Sequence, residues 1–462
     1  MVAERYNQRV IQQFAGMGIV IPSVKSVIQD GTPFVEFARR VENRAEEVYP
    51  GVTLSVEQHK LGDGQFTNVY DIAIDPLVST FSPKIFSSDR SSYLRRQMIQ
   101  NPLIKLGLTG GFSFMVDIEP HNYPKDPNDH LCIRNNQVIG LPAMDRAGIM
   151  VVNNKLATQP LVAAGTMSIG NQEVVWVGAK SEHGDQSGEA FWMPQGALYK
   201  KGNIVQGYTI KDIKERDSLR KSFPGRPVLY NAACATFADV FDPVTPSKRL
   251  LVEAYNRTPP IEDGYNVIID RDQSNALRVT KITREETDFF EGLFILQFHE
   301  QDTAKIQEGD PVVPQTVKAK NSEENGSLHD IPLQDITDAV TIGPRIPDEI
   351  RYDRRWGRTV IYEGEDGKQH FAIFDAIPES TNFNGPNPRE LLEVLKQKRA
   401  RKAHLLDSGR SGKMGLCYPD SRLEIFGNKH YVRWPKVEGG QYLLNGENGR
   451  PMTSFIYYEE VG

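Results

Sequence analysis

Along most of this chain, apolar residues come in short runs closed by Gly, Asn or Pro, a texture of strands and turns. Such runs fall at Val69 to Ile74, at 131–140, 148–152, 161–169 and 173–178, at Tyr442 to Leu444, and at Pro451 to Tyr458. Four segments carry helical character instead. Thr32 to Tyr49 places Phe34, Phe37, Ala38, Val41, Ala45 and Val48 at helical spacing, and Pro50 with Gly51 stops it. Gln8 to Phe14 and the stretch SSYLRRQMIQ at 91–100 predict two shorter helices. Asn387 to Glu390 sets a capping residue, then Pro at the first helical position, then Glu. Leu391, Leu392, Val394 and Leu395 give that helix its buried face, and the basic run Lys396 to Lys402 suits its negative pole. Ala403 to Leu406 then reads as a buried strand, running into the turn Asp407 to Gly412 (DSGRSG). The polar stretches 180–189, 209–222 and 318–330 read as surface segments. Together these predict an α+β fold, a mixed and largely antiparallel sheet system with helices packed on it.

Composition narrows the classes. The 462 residues are 39% hydrophobic and 25% charged, enough for a sizeable core. No stretch approaches the ~20 apolar residues of a membrane span. The net charge of −6 gives no strong nucleic-acid signal. Cys132, Cys234 and Cys417 are odd in number and far apart, so neither a disulfide framework nor a structural zinc site is expected. No metal-ligand spacing appears among the nine histidines, and no cofactor is expected. The N-terminus lacks a basic segment feeding an apolar one, which predicts no secretory signal and a cytoplasmic protein, with a virion-associated one as the alternative.

Asp407 stands out for chemistry. It closes an apolar strand just before a turn with Gly409 and Gly412, where a carboxylate can be held rigidly toward a cleft. From spacing alone, the turn cap that accepts backbone N–H groups is the favoured reading. The GRSGK stretch at 409–413 lacks the first glycine and the final Ser or Thr of a phosphate loop, so an NTPase is not supported.

Several segments, taken in order, resemble the phosphodiester glycosidase family. Thr109 to Phe114 (TGGFSF) is similar to the family's Asn-Gly-Gly-Phe-Phe segment, and Thr341 to Pro344 to its Gly-Gly-Pro step. Gly309 to Val312 resembles its Gly-Asp turn, and Arg358-Thr359 followed by Glu365 to Lys368 and Phe371 to Asp375 its Arg-Thr and following strands. Pro388 to Ser411 looks like its helix and strand ending Leu-Asp-Gly-Gly-Gly-Ser, with Ser408 and Arg410 in place of two glycines. Asn445, Gly449, Arg450 and Pro451 resemble the closing segment. The resemblance spans 67–462, poorly near 180–250, and leaves 1–66 as a segment without an assigned role.

The resemblance implies a hydrolase that cleaves a sugar's C1 bond to a phosphodiester. The transition state is cation-like at the sugar, so a carboxylate stabilises it, and Asp407 takes that role as nucleophile or base. The leaving phosphate needs charge neutralisation, which suits Arg358 first, then Arg410 and Arg450. Gly110 and Gly111 would add backbone donors, with Thr109, Thr359, Gly409, Ser411 and Asn445 lining the ligand. A second carboxylate stays open between Asp375, Asp145 and Glu119. The expected partners are a phosphosugar or carbohydrate ligand and copies of the chain in a homo-oligomer or larger assembly. Two alternatives are a non-enzymatic virion or appendage protein, and a cytoplasmic hydrolase of nucleotide-like phosphodiesters.

Overall fold

The computed structural model describes residues 41–111, 131–143, 145–179, 226–231, 257–258, 264–289, 291–299, 305–321, 327–343, 345–346, 355–376, 383–406, 408, 412–427 and 452–460, with six further strands between 199 and 445. The α+β expectation is corrected. The described residues are mostly strand, and their α-helices are two short ones, Leu94–Gln100 and Pro388–Gln397. Contacts divide the chain into two units, one of Met1–Ser82, Ser91–Gly110 and Arg345–Gly462, the other of Pro83–Arg90 and Gly111–Pro344.

The first unit holds a seven-stranded antiparallel sheet. Its order is Arg44–Tyr49, Val52–Lys60, Phe66–Ile74, Gln369–Phe374, Arg358–Gly364, Ala400–Leu405 and Arg345–Ile346. Helix Pro388–Gln397 covers one face, burying Leu391, Val394 and Leu395 against Val69, Val360, Tyr362, Ala372, Phe374, Ala403 and Leu405. The cap legible in the sequence forms as a reciprocal box. Asn387 Oδ1 accepts Glu390 N at 3.0 Å, and Glu390 Oε2 accepts Asn387 N at 2.9 Å. The helix is shorter than the basic run suggests. It ends at Gln397 because Lys398 caps it and Arg399 turns left-handed (φ 55°), which sends residues 400–405 into the sheet.

The other face packs on a second antiparallel sheet containing Leu423–Phe426, Met414–Cys417, Ile104–Thr109 and Met452–Glu460. Tyr70 meets Phe426 at 5.1 Å between ring centres, and Phe371 meets Tyr458 at 5.7 Å. Helix Leu94–Gln100 lies on the far side of this sheet. A Cβ at Gly107 would come within 2.8 Å of Leu94, and one at Gly415 within 2.3 Å of Met98 Sδ, so glycine at both positions lets the helix approach.

The predicted helix Thr32 to Tyr49 does not form over its described part, since Arg44–Tyr49 is an edge strand paired with Val52–Lys60. The Pro50-Gly51 step is a hairpin turn, with Gly51 at φ 72°. Its charged residues Arg44, Glu46 and Glu47 face water, which protects an open edge from pairing with another chain. The Gln8 to Phe14 helix and the surface segments 180–189 and 209–222 lie outside the described residues.

The second unit is built on one large sheet, with two separate two-stranded pairs, Tyr199–Lys200 with Asn203–Ile204 and Thr236–Phe241 with Arg249–Tyr255. Its main path runs Leu277–Thr283, Gly264–Arg271, Phe294–His299, Val228–Tyr230, Gln172–Gly178, Lys155–Ile169, Arg146–Val152, Ile336–Ile342, Cys132–Arg134 and Gln137–Gly140. Its pairings are antiparallel except between Gln172–Gly178 and Val228–Tyr230. Asn135-Asn136 and Asn153-Asn154 close two of its hairpins with both central residues at positive φ, the turn that matches strand twist. Residues 318–330 are not one surface loop: Val312–Lys320 and Leu328–Pro332 pair as a hairpin.

Candidate functional site

Antiparallel register gathers distant parts of the sequence at one end of the first unit. Arg358 opens its strand opposite Phe374, and Leu405 lies opposite Val360 on the other side. The chain leaving that neighbour is then tied back: Leu406 N donates to Thr359 O at 2.8 Å, and Thr359 N donates to Ser408 Oγ at 3.2 Å. Ser408 Oγ in turn donates to Leu406 O at 2.9 Å. Where the chain returns at Lys413, Thr109 holds it. Lys413 N donates to Thr109 Oγ1 at 3.0 Å, and Thr109 N donates to Lys413 O at 2.9 Å. The segment between Leu406 and Lys413 is thus anchored at its start by Thr359 and at its return by Thr109. Gly110 N continues the pairing to Ser454 O at 3.0 Å.

The rows of the seven-stranded sheet become polar toward this same end. Gln58 Nε2 donates to Asn68 Oδ1 at 3.0 Å, and Asp375 N donates to Asn68 O at 2.8 Å. Thr67 Oγ1 donates to Asp375 O at 2.7 Å, and Ala376 N donates to Asp375 Oδ1 at 2.9 Å, so this buried Asp is fixed through its backbone as well as its side chain. One row inward, Tyr70 has its phenol pushed well above the usual range, first by burial and then by the Asp375 charge. Opposite, Lys413 is buried at 1% exposure and its Nζ donates to Gly427 O at 3.3 Å. A Cβ at Gly427 would stand 3.0 Å from Ile373 Cδ1, which places this carbonyl beside the cross-strand neighbour of Thr359.

Strand alternation separates two of the residues expected to act together. Arg358 shares the parity of Val360 and Tyr362, on the helix side, whereas Thr359 shares that of Ile361, on the side of the second sheet. Arg358 is 6% exposed and Thr359 fully buried. Gly110 belongs to the first unit and Gly111 to the second. Gly111 is sterically required, since a Cβ there would lie 1.8 Å from Thr341 O. Asp407, Gly409, Arg410, Ser411 and Arg450 lie outside the described residues, as does Glu119. Asn445 ends the strand Tyr442–Asn445. Of the two described candidates for a second carboxylate, Asp375 sits at the end just described. Asp145 belongs to the second unit, where its Oδ1 accepts Ala163 N at 2.8 Å.

Sequence reasoning passed over Lys413, Asn68 and Tyr70. Lys413 was visible only as the last residue of GRSGK, and nothing local tells a buried lysine from a solvated one. Asn68 and Tyr70 alternate with Val69 in a strand, which marks a face but not its partner.

A second polar cluster lies on the helix-covered face of the same sheet. Buried Asp71 accepts Tyr362 OH and lies 3.2 Å from His370 Nδ1 and 3.1 Å from Lys398 Nζ. Lys398 Nζ also lies 3.1 Å from Glu57 Oε2, which pairs with His59 Nε2 at 2.8 Å. The His370 ring stacks on Tyr362 at 4.4 Å. Asp71 is held below the usual carboxylate range by the His370 and Lys398 contacts against the opposing effect of its complete burial. This network ties four strands and the residue capping the helix. Among the described residues, no group of three or more His, Cys, Asp or Glu is placed to hold a metal ion, and no helix is long and apolar enough to cross a membrane.

No family model matches the chain, and no curated protein does. Solved structures do resemble it. A hypothetical protein from Synechocystis superposes with a TM-score of 0.48 at 11% identity, over 91% of this chain and 64% of that one, so this chain spans less than two thirds of it. A putative exported protein from Burkholderia pseudomallei K96243 gives 0.45 at 14% identity, over 86% and 74%. The catalytic domain of zebrafish N-acetylglucosamine-1-phosphodiester alpha-N-acetylglucosaminidase, auto-inhibited by its pro-peptide, gives 0.33 at 10% identity, over 94% and 93%. These are distant structural relations.

Proposed function

We propose that this chain is a hydrolase that cleaves the bond between a sugar C1 and a phosphodiester, at the end of the first unit where Thr109, Thr359 and the segment after Leu406 meet. The reading rests on the ordered sequence resemblance and on one structural observation. Thr359 and Thr109, 250 positions apart in the numbering, anchor the two sides of the segment that contains Asp407. Asp407 acts as nucleophile or as base for water, and Arg358 neutralises the departing phosphate. Asp375 is the preferred second carboxylate, because it is buried and fixed at the same sheet end.

The test is release of free sugar from a GlcNAc-1-phosphodiester by wild type, Asp407→Asn, Asp375→Asn and Arg358→Ala. Loss of an essential acid–base or nucleophilic carboxylate lowers turnover by about 10²–10⁴-fold, and that loss is expected for Asp407→Asn. Equal release by wild type and Asp407→Asn refutes the mechanism; no release by wild type refutes the reading.

A further inference from the structure

The large sheet of the second unit ends close to where it began. Its last strand, Gln137–Gly140, is paired among the described residues with Cys132–Arg134 alone. From the opposite end of the path, the turn between Gly264–Arg271 and Leu277–Thr283 reaches that strand with side chains. Arg271 Nη2 donates to Val138 O, and Asn275 Nδ2 donates to Gln137 Oε1 at 2.9 Å. Arg271 Nη1 donates to Asn275 O at 2.6 Å, so one guanidinium holds both sides of the seam. Leu277 and Val279 from the first strand and Ile133 from the far hairpin lie in a single buried cluster, with Val138 packed against it. The sheet therefore wraps one apolar core, and at this seam its wall is closed by side chains rather than by a ladder of backbone bonds.

The hairpin Cys132–Gly140 is thinly joined on its inner side as well. It pairs with Ile336–Ile342 at two positions, Cys132 with Val340 and Ile133 with Ala339, whereas Arg146–Val152 pairs with Lys155–Ile169 at seven. Its turn is held by Asn136 N donating to Thr337 O at 2.8 Å and Asn135 N to Asp338 Oδ1 at 2.9 Å, and Arg134 Nε donates to Ser87 Oγ at 2.7 Å. Asn135, Asn136 and Gln137 face water, and Ile133 is the one large apolar side chain that the hairpin buries fully. Across the seam, Arg271 is half-buried with its donors on two carbonyls; burial comes first among the causes that hold its guanidinium below the ordinary value. Hydrogen bonds from a charged donor are roughly twice as strong as neutral ones, so Arg271 is the main tie there.

We propose that the hairpin Cys132–Gly140 is a strap, latched by Arg271, that lifts from the edge of Ile336–Ile342 while the rest of the sheet stays folded. Openings of this kind cost less than global unfolding where few apolar contacts and few backbone bonds must break. Lifting frees the Cys132 thiol, which is 2% exposed and 3.3 Å from Ser87 Oγ in the closed form, and bares the seam end of the core. The strap does not depend on the hydrolase reading.

Two readouts on the whole chain at neutral pH and low urea test this: hydrogen exchange followed by peptide mass spectrometry, and alkylation of Cys132 by iodoacetamide. In wild type, residues 131–141 should exchange faster than 146–169 and with little dependence on urea, because a local opening exposes little surface. Arg271→Met keeps the stem and removes the donors. It should speed exchange at 131–141 and alkylation of Cys132 by about 10–100-fold, the range of a hydrogen bond from a charged group. Gln137→Ala deletes only an exposed side-chain bond to Asn275; it should speed both by about 2–10-fold, and it carries the test if Arg271→Met does not fold. Val174→Ala, a buried change in Gln172–Gly178, should speed exchange at 146–169 and leave 131–141 as in wild type, because its contacts survive when the strap lifts. The inference is overturned if 131–141 shares the rate and urea dependence of 146–169 in wild type. It is overturned equally if the folded Arg271 and Gln137 variants behave as wild type does, or if Val174→Ala speeds both regions alike.

Discussion

Replacing Glu57 by Gln should flatten the acid dependence of stability in the first unit. Glu57 Oε2 lies 2.8 Å from His59 Nε2 and 3.1 Å from Lys398 Nζ. The hydrogen bond to His59 is the main reason the carboxyl falls from 4.5 to about 2; burial opposes it and Lys398 assists. A shift of that size corresponds to at most about 3.4 kcal/mol. The side chain is 36% exposed, so solvent screening reduces the figure to about 1–2 kcal/mol. The sign follows from the depressed folded value. The contribution is fully present above 4.5 and is lost as pH falls toward 2. Asp71 shifts in the same direction and adds to the loss. In urea unfolding at pH 7, 5.5, 4 and 3, wild type should lose about 1 kcal/mol more than Glu57→Gln between the two middle conditions and the most acidic one. Parallel loss in the two proteins would show that the Glu57 contacts add nothing to folding.

Glu390→Ala should cost about 3–5 kcal/mol in urea unfolding at neutral pH, since it leaves a half-buried guanidinium without its carboxylate. Glu390 accepts both Arg355 nitrogens at 2.6 and 2.7 Å, together with Gly62 N at 2.8 Å and Asn387 N at 2.9 Å. Glu390→Gln should fall between, keeping the cap and losing the charge; equality with wild type would refute the pairing. Gly111→Ala should fail to reach the native structure or melt far lower, whatever its chemistry, because its methyl would enter the Thr341 carbonyl. Near-wild-type melting of that variant would refute the close approach.

What the sequence revealed was local. The Asn387 to Glu390 cap, the strands between 131 and 178 and the helix within 91–100 are written in residues that act within a few positions of themselves. The failures are long-range. Arg44–Tyr49 has helical spacing in its apolar residues, yet pairing with Val52–Lys60 makes it a strand, and the Pro50-Gly51 step read as a stop is a hairpin turn. The ends of 318–330 look like loop until Val312–Lys320 pairs with both Leu328–Pro332 and Lys155–Ile169. At the candidate site, the sequence leaves Asp375 as one of three open candidates for a second carboxylate. Its tie to Asn68 depends on register between strands that lie far apart in sequence, which no local pattern encodes. Lys413 and Thr359 carry no local mark of burial.

The same substitution at the two anchoring threonines separates a hydroxyl the framework uses from one it does not. Thr109 and Thr359 are both buried and both hold the segment that follows Leu406, but only one of the two hydroxyls is used. Thr109 Oγ1 accepts Lys413 N at 3.0 Å. Valine there keeps the shape and strands a buried amide, at about 1–3 kcal/mol. Thr359 anchors through its backbone N–H and carbonyl, which valine retains, and its Oγ1 has no partner among the described residues. Thr109→Val should therefore melt lower than wild type and Thr359→Val should not, although both are β-branched residues in strands of the same unit. If Thr359→Val proves as destabilising as Thr109→Val, the hydroxyl of Thr359 is part of the framework.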